Sequence, residues 1–340
     1  WLSLIVLPFA LLVGILLIRA YNYDLIRADI IFKQGNVYAN NADAGQKQIG
    51  IMHYEKAIEY VPLEDQYYLF LGKGYLELVQ SLPADVDATQ REALFLTTEE
   101  VLQKAREVNR LNTDHSANLG RFYRSWAAQV SDADQRATLM AKAVESYRDA
   151  VTLSPNNSIL WNELAILYAF DLQDQLSFQK TISQSLALDT EFDTTWMIIG
   201  DVEANINQDS AAAIEAYRKA LKLAPGNCTV QHVVGSLQIQ QSQWAGAITD
   251  LEGALEYCAA SSNAWDMYRM LAVAYFYQGE QSEALEMANQ ALLLVPEDQR
   301  SVIEQLIAAI QQQAPTELVP GASPVPTPEP APDSSVPVTP

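Results

Sequence analysis

Residues 210–225 read SAAAIEAYRKALKLAP, and this stretch decides the fold. Ala213 is followed by Tyr217 four residues later, by Ala220 three residues after that, and by Pro225 a further five residues on. Offsets of four and three place the first three side chains on one face of an α-helix. Proline ends such a helix because it disfavours the helical conformation of the residue before it. The stretch therefore predicts a helix with one packing face and a defined end.

The same pattern recurs along the chain, in residues 49–62 (IGIMHYEKAIEYVP), 140–155 (MAKAVESYRDAVTLSP) and 281–296 (QSEALEMANQALLLVP). A second pattern begins with an aromatic residue, has a large apolar residue three positions on and a small residue four positions on, and often ends in Tyr. Its copies are Tyr68/Leu71/Gly72/Tyr75, Trp161/Leu164/Ala165/Tyr168 and Trp196/Ile199/Gly200. Together the two patterns predict a helix–turn–helix unit in which the small residue lets the two helices approach closely.

These positions resemble the tetratricopeptide repeat, with its W-x2-L-G-x2-Y…A-x3-F…P pattern. The resemblance covers roughly residues 25–313 and implies about seven stacked helix pairs in a right-handed superhelix. Residues 297–313 are expected to form the terminal capping helix that such an array needs. We therefore predict an all-α fold, a tetratricopeptide-repeat α-solenoid over residues 21–313, with Tyr147, Trp161, Trp196 and Tyr217 packed in its core.

The two ends of the chain differ from this array. Residues 1–18 read WLSLIVLPFALLVGILLI without a charge, and about 18 residues at ~1.5 Å each reach roughly 27 Å, close to a hydrocarbon core of about 30 Å. We predict a transmembrane helix over residues 1–20 that contacts the lipid bilayer through residues 1–18. An uncleaved signal sequence is the alternative, although no basic segment or cleavage site is visible. Because residue 1 is Trp, we expect a processed product or a fragment of a longer protein.

Residues 314–340 hold nine of the 15 prolines and no Lys, Arg or aromatic residue. Such a segment buries too little apolar surface to fold. We predict a disordered, Pro-rich tail, which is either a plain tail or a spacer or ligand for a proline-binding domain.

The composition excludes several functions. The chain has 42 acidic and 21 basic residues and a net charge of −21, which argues against nucleic-acid binding because phosphate affinity comes from clustered Lys and Arg. His53, His115 and His232 are dispersed, and no catalytic motif is present. We predict a non-catalytic chain with no cofactor and no metal site.

In the tetratricopeptide-repeat family, the side chains facing the concave groove lie one, five, eight and nine positions after the aromatic of the first helix. The resemblance therefore implies a groove that binds a protein or peptide partner. Carried over by position, its candidate residues are Lys73, Arg121, Arg124, Asn162, Phe170, Met197, Asp201, Asn205, His232, Gln240, Arg269 and Tyr277. The family's carboxylate clamp is not supported, because Ala117 and Leu69 stand where its first lysines would be. Arg121 and Arg124 either attract an acidic group or are simply solvated.

Cys228 precedes the first helix of the sixth unit and Cys258 ends its second helix. These two ends are neighbours in an antiparallel helix pair, so a disulfide is geometrically plausible. Two small buried apolar residues are the alternative. A disulfide would place the repeats outside the cytoplasm, whereas Arg19 and Arg27 after the apolar segment weakly favour the cytoplasm.

Four further stretches are IRADIIFKQG (26–35), PLEDQYYLFLGKGYLEL (62–78), REVNRLNTDHSANLGRFYRSWA (106–127) and LSPNNSILWNELAILY (153–168). They resemble the C-terminal part of bacterial O-antigen ligase-like membrane proteins that end in tetratricopeptide repeats. This resemblance implies a role beside the surface-polysaccharide machinery, at the cell membrane, with the repeats outside the cytoplasm. The family's catalytic residues lie in a membrane domain upstream, so none is assigned here. The alternatives are an independent single-span scaffold of a membrane complex and an enzyme within these 340 residues.

Overall fold

The structure is a computed structural model that describes residues 2–41, 43–81 and 86–312. Within these ranges the regular structure is helical, with sixteen α-helices. The chain divides into two compact units with a boundary between Leu160 and Trp161. The predicted Pro-rich tail, residues 314–340, lies outside the described residues.

The first unit contains seven complete helices. These are α1 (Leu2–Ile18), α2 (Asp24–Ala39), α3 (Ala44–Tyr60), α4 (Asp65–Gln80), α5 (Ala88–Val108), α6 (Thr113–Gln129) and α7 (Ala133–Leu153). A π-helical turn, Arg19–Tyr23, joins the first two helices. From α2 onward the helices pack as three consecutive pairs, α2 with α3, α4 with α5, and α6 with α7.

The second unit contains the remaining pairs, and its first helix begins three residues before the boundary. Its helices are α8 (Ser158–Ile166), α9 (Gln175–Leu188), α10 (Asp193–Asn205), α11 (Ser210–Leu223), α12 (Cys228–Gln240), α13 (Trp244–Cys258), α14 (Ala264–Gln278), α15 (Gln281–Leu294) and α16 (Arg300–Gln312). A π-helical turn, Leu167–Asp171, extends α8 and contacts α9. The predicted all-α solenoid fits, with seven helix pairs among the described residues, and α16 packs on α15 through buried Ile303, Leu306 and Ile310.

Short polar side chains start seven of these helices. Each accepts a hydrogen bond from a backbone N–H of the first turn, which would otherwise lack a partner. The capping residues are Asp43, Asp87, Asn112, Asp132, Asp174, Asp209 and Asn227. The C-terminal end of α14 is at Gly279. Its φ of 84° suits glycine, because glycine has no side chain to clash in this conformation.

Close contact between paired helices follows from the small residue in each first helix. A Cβ added to Gly200 of α10 would lie 2.5 Å from Cε1 of Tyr217 on α11, and one added to Gly120 of α6 would lie 2.8 Å from Cδ2 of Tyr147 on α7. Both tyrosines are buried, as predicted. Trp161 and Trp196 are only partly buried, so those two rings lie at the edge of the core.

The predicted transmembrane helix over residues 1–20 is wrong. In the part of the chain that the structure describes, no helix combines the length and the apolar composition that crossing a membrane requires. Helix α1 contains 17 residues, which reach roughly 26 Å at ~1.5 Å per residue, short of the ~30 Å hydrocarbon core. At Arg19 the helix changes to the π-helical turn, so the apolar run is not extended by regular α-helix.

Candidate functional site

Three polar side chains cluster on the first helices of the last two repeat pairs. His232 lies in the second turn of α12, and Asp266 and Arg269 lie on α14. Nε2 of His232 is 2.6 Å from Oδ2 of Asp266, and Nε of Arg269 donates to Oδ1 of Asp266 over 2.5 Å. All three side chains are partly exposed, at 24%, 18% and 18% respectively. The cluster therefore joins two successive repeats and remains accessible.

Asp266 is the charge that organises this cluster. Burial raises the pKa of its carboxyl group, but the hydrogen bond from His232 and the guanidinium charge of Arg269 outweigh burial, and the pKa is lowered to about 2. The carboxylate is therefore ionised at neutral pH and can only accept hydrogen bonds. It follows that Nε2 of His232 carries a hydrogen and donates a hydrogen bond to the Asp266 carboxylate.

A pair of stacked rings lies further along the same helix. The rings of Trp244, at the start of α13, and Tyr277, near the end of α14, are 4.5 Å apart at their centroids and nearly parallel, with an angle of 12° between them. Tyr277 is 37% exposed. Because Tyr277 follows Asp266 by eleven residues, about three helical turns, the two residues share one face of α14 roughly 16 Å apart. That face therefore presents a flat aromatic surface and a polar cluster together.

Helix α10 contains three of the candidate groove residues, and their side chains differ in how far they are buried. Met197 is partly buried and its Sδ accepts a hydrogen bond of 3.4 Å from Nδ2 of Asn227. Asp201 is only 8% exposed and accepts a 2.7 Å hydrogen bond from the Tyr217 hydroxyl. Asn205 is partly exposed and donates to the Asp201 backbone carbonyl over 2.9 Å. Asp201 is thus a packing residue, whereas Met197 and Asn205 remain near the surface.

The other candidates of the second unit are also spread over different depths. Asn162 is buried and exchanges hydrogen bonds of 3.0 and 3.3 Å with the Thr195 hydroxyl. Phe170 is partly exposed in the π-helical turn, and exposed Gln240 donates to Ser236 over 3.3 Å. Asn162 therefore links α8 to α10 and is not available to a partner.

The first unit holds the remaining candidates. Lys73 is exposed on α4, and Arg121 and Arg124 are partly buried on α6. Nη1 of Arg121 donates to Oδ1 of Asn118 over 2.5 Å. Both arginines and the lysine have further interactions within the protein, so they contribute to its own packing as well as to the surface.

Sequence reasoning missed a second His–Asp pair, in the first unit. Nε2 of His115, which is completely buried on α6, lies 2.6 Å from Oδ2 of Asp65 at the start of α4. Nδ2 of Asn112 and of Asn109 also donate to this oxygen, over 2.9 and 3.0 Å. Burial raises the pKa of Asp65, but these hydrogen bonds outweigh it and lower the pKa below its usual value. The pair fastens two successive first helices.

Asp266 and Trp244 were missed as well. A carboxylate in the first turn of a helix is common because it is favourable there, so Asp266 gave no distinct signal. The pairing of Trp244 with Tyr277 depends on the contact between α13 and α14, which the chain spacing does not show.

Cys228 starts α12 and Cys258 ends α13, and the structure joins them in a disulfide with an S–S distance of 2.08 Å. Their Cα atoms lie 5.5 Å apart, inside the range that a disulfide needs. Among the described residues, no group of three His, Cys, Asp or Glu side chains could hold a metal ion.

Comparisons with known proteins agree with this architecture. A family model described as Tetratricopeptide repeat matches residues 195–227, which cover α10, α11 and the turn after them. The C-terminal part of a TPR repeat-containing protein from Cytophaga hutchinsonii superposes with a TM-score of 0.56 at 14% sequence identity, covering 82% of this chain and 98% of that chain. The yeast protein Tom70 superposes with a TM-score of 0.50 at 15% identity, covering 86% of this chain and 60% of that one. A search of curated proteins finds no match to this sequence.

The chain therefore contains a tetratricopeptide repeat at residues 195–227 and has the helix-pair fold of tetratricopeptide-repeat structures. Tetratricopeptide-repeat proteins bind peptide or protein partners, and the fold is typically a non-catalytic scaffold. The resemblance to O-antigen ligase-like proteins has no counterpart among these matches.

Proposed function

We propose that this protein is a non-catalytic scaffold that binds a peptide or protein partner on one face of its second unit. This face, called here the α12–α14 face, consists of His232, Asp266, Arg269, Trp244 and Tyr277. The observation that supports the proposal is that a polar cluster and the exposed ring of Tyr277, stacked on the partly buried Trp244, share one side of α14. Such a combination of an apolar surface with a few oriented polar groups is typical of binding sites.

The geometry indicates the kind of segment that fits. The polar cluster and the aromatic stack lie roughly 16 Å apart along α14, which an extended peptide spans in about five residues. An apolar or aromatic side chain at one end of such a segment would lie against Tyr277 and Trp244. A hydrogen-bonding group at the other end would contact His232 and Arg269. Because Asp266 neutralises much of the positive charge there, the partner group need not be strongly acidic.

A peptide-display experiment tests this proposal. Peptides selected from a random library on the wild-type protein should lose most of their affinity for a variant that combines Arg269→Ala with Tyr277→Ala. Glu286→Ala on α15 is the matched control, since this exposed residue lies on the second helix of its pair. Selected peptides that bind the double variant as well as the wild type would contradict the proposal, provided that the circular dichroism of the two proteins is the same.

We propose further that the repeats function outside the cytoplasm. The pair Cys228–Cys258 supports this, because structural disulfides persist in oxidising compartments. In cells, both cysteines should resist alkylation until a reductant is added. Rapid alkylation of both thiols in intact, unreduced protein would contradict an extracytoplasmic location.

We also propose that the partner belongs to the surface-polysaccharide machinery. The support is the resemblance of residues 26–35, 62–78, 106–127 and 153–168 to the repeat region of O-antigen ligase-like proteins. Cells that lack this repeat region should show an altered chain-length distribution of surface polysaccharide on gels. An unchanged distribution would favour the alternative, a scaffold of another complex.

A further inference from the structure

The residue that begins the pattern of the first helix makes the same kind of hydrogen bond in several repeat pairs. In three of the first helices, its side chain donates a hydrogen bond to the backbone carbonyl of the residue six positions earlier. That residue lies two positions after the end of the helix that precedes it, the second helix of the previous pair. The bonds run from Tyr68 to Pro62 over 3.1 Å, from Trp196 to Thr190 over 3.0 Å, and from Gln231 to Pro225 over 3.1 Å. A large side chain therefore crosses the end of the preceding helix in each of these pairs.

Helix α6 departs from this arrangement. Its equivalent residue is Ser116, six residues after Arg110, which itself lies two residues past the end of α5. The serine side chain is 2% exposed and much too short to cross the helix end. A cleft of about 580 Å³ lies there instead, lined by Ser116, by Gln103, Arg106, Glu107 and Arg110 on the α5 side, and by Asp149, Thr152 and Leu153 of α7. Its volume is within the ~300–1,000 Å³ that is usual for ligand sites.

The charges around this cleft leave one cation available. Nη1 of Arg106 lies 3.5 Å from Oδ2 of Asp149, and Nζ of Lys104 lies 3.1 Å from Oε2 of Glu107. These two pairs are internally neutral. The Arg110 guanidinium makes no hydrogen bond or ion pair within the part of the chain that the structure describes. The lining, with Arg106 and Arg110 against Glu107 and Asp149, is therefore neutral overall, but the Arg110 cation is left to pair with a partner's carboxylate.

We propose that this cleft binds an aromatic side chain with a neighbouring carboxylate, as in a partner segment that ends in Trp or Tyr. The ring would occupy the space that the chain's own Tyr68 and Trp196 fill at the equivalent places in other pairs. A ring placed there removes at most ~150–250 Å² from water, and the carboxylate pairs with Arg110. This site lies in the first unit and is separate from the α12–α14 face, so either site can fail without the other.

Small probes test the two parts of the proposal separately. N-acetyltryptophan has the ring and the carboxylate, N-acetyltryptophanamide has only the ring, and N-acetylalanine has only the carboxylate. In NMR titrations of the full chain, N-acetyltryptophan should shift the resonances of α5 to α7. The amide should bind about three- to fivefold more weakly, which is the usual contribution of one accessible ion pair. N-acetylalanine should not bind measurably. Equal binding of all three probes would overturn the proposal.

Two variants identify the site. Ser116→Trp supplies the missing ring from the chain itself and should abolish binding of N-acetyltryptophan. Arg110→Gln should reduce the affinity for N-acetyltryptophan to that for the amide, whereas Arg300→Gln, an exposed arginine of α16, should leave it unchanged. A folded Ser116→Trp protein that still binds the probe overturns the proposal. If that variant does not fold, wild-type affinity in Arg110→Gln overturns it.

Discussion

The hydroxyl of Tyr217 donates a 2.7 Å hydrogen bond to Oδ1 of Asp201, and both side chains are buried. The bond joins α10 to α11 inside the repeat that the family model recognises. Burial raises the pKa of Asp201 to about 6, although the hydrogen bond from Tyr217 opposes it. Burial and the nearby carboxylate also raise the pKa of Tyr217 above its usual range. A repeat interface thus contains a carboxyl group that titrates near neutral pH.

The Asp201→Asn variant should be more stable than the wild type above pH 7. A carboxyl group whose pKa rises on folding, from 3.8 to about 6, contributes stability that is complete below pH 3.8 and is lost as the pH rises through 6. Asparagine keeps an oxygen that accepts from Tyr217 and has no charge to bury. The gain should reach at most roughly 3 kcal/mol at pH 8 and vanish near pH 4. Urea unfolding at the two pH values measures it.

The matched control is Asp209→Asn, because Asp209 is an exposed cap at the start of α11. Its effect on the free energy of unfolding should not grow in the same pH window. If Asp201→Asn is no more stable than the wild type at pH 8, the carboxyl group is not destabilised by burial and this account of Asp201 fails.

Gly200→Ala and Gly235→Ala should each destabilise the protein, whereas Gly253→Ala should stabilise it. A Cβ on Gly200 or Gly235 would lie 2.5 Å from Tyr217 or 2.4 Å from Leu251, respectively, while nothing lies within 4 Å of one on Gly253. Overpacking costs about 1–3 kcal/mol. An alanine in place of an open helical glycine adds up to about 1 kcal/mol. Thermal unfolding of the three variants gives the comparison. Equal effects at all three sites would mean that helix propensity alone decides the outcome.

These small residues also show how far the sequence predicts the fold. The spacing of Gly200, Tyr217 and Pro225 is local, so it predicts the helices, their pairing and the close contact between them. It does not predict how deeply each side chain is buried. Asn162 and Asp201 occupy the same kinds of position as His232 and Gln240, yet only the first two are buried. Whether such a side chain is buried depends on the residue that the neighbouring helix packs against it, as Thr195 does against Asn162.

The error at the N-terminal end has a similar cause. Apolar composition predicts a continuous helix, but the change to π-helical hydrogen bonding at Arg19 has no signature in hydropathy. Likewise, the cleft beside Ser116 exists because α6 has a serine where other first helices have a large side chain. The sequence does not show this, because the hydrogen bond of that large side chain is visible only in the structures of the other pairs.

Removing the disulfide by the double substitution Cys228→Ser and Cys258→Ser should lower the free energy of unfolding. The bond closes a loop of 30 residues, and the loss of chain entropy in the unfolded state corresponds to about 3–4 kcal/mol. Urea unfolding of the wild type with and without a reductant should reproduce the effect of the double variant. A reductant that also shifted the unfolding of the double variant would show that it acts elsewhere than at this bond.

Asp266→Asn should destabilise the protein at neutral pH and should do so less as the pH falls. Its carboxyl pKa is lowered from 3.8 to about 2 on folding, so its contribution to stability is present above pH 3.8 and is lost as the pH falls through 2. At pH 7 the variant should lose about 1–2 kcal/mol, because His232 and Arg269 lose their shared acceptor. Glu286→Gln, an exposed acid on α15, is the control and should have almost no effect. Urea unfolding of wild type and variants at pH 7 and at the lowest pH where both remain folded provides the test. A loss of stability that is constant over this range would show that Asp266 acts through its shape and not through its charge, and it would remove the electrostatic basis assigned to the α12–α14 face.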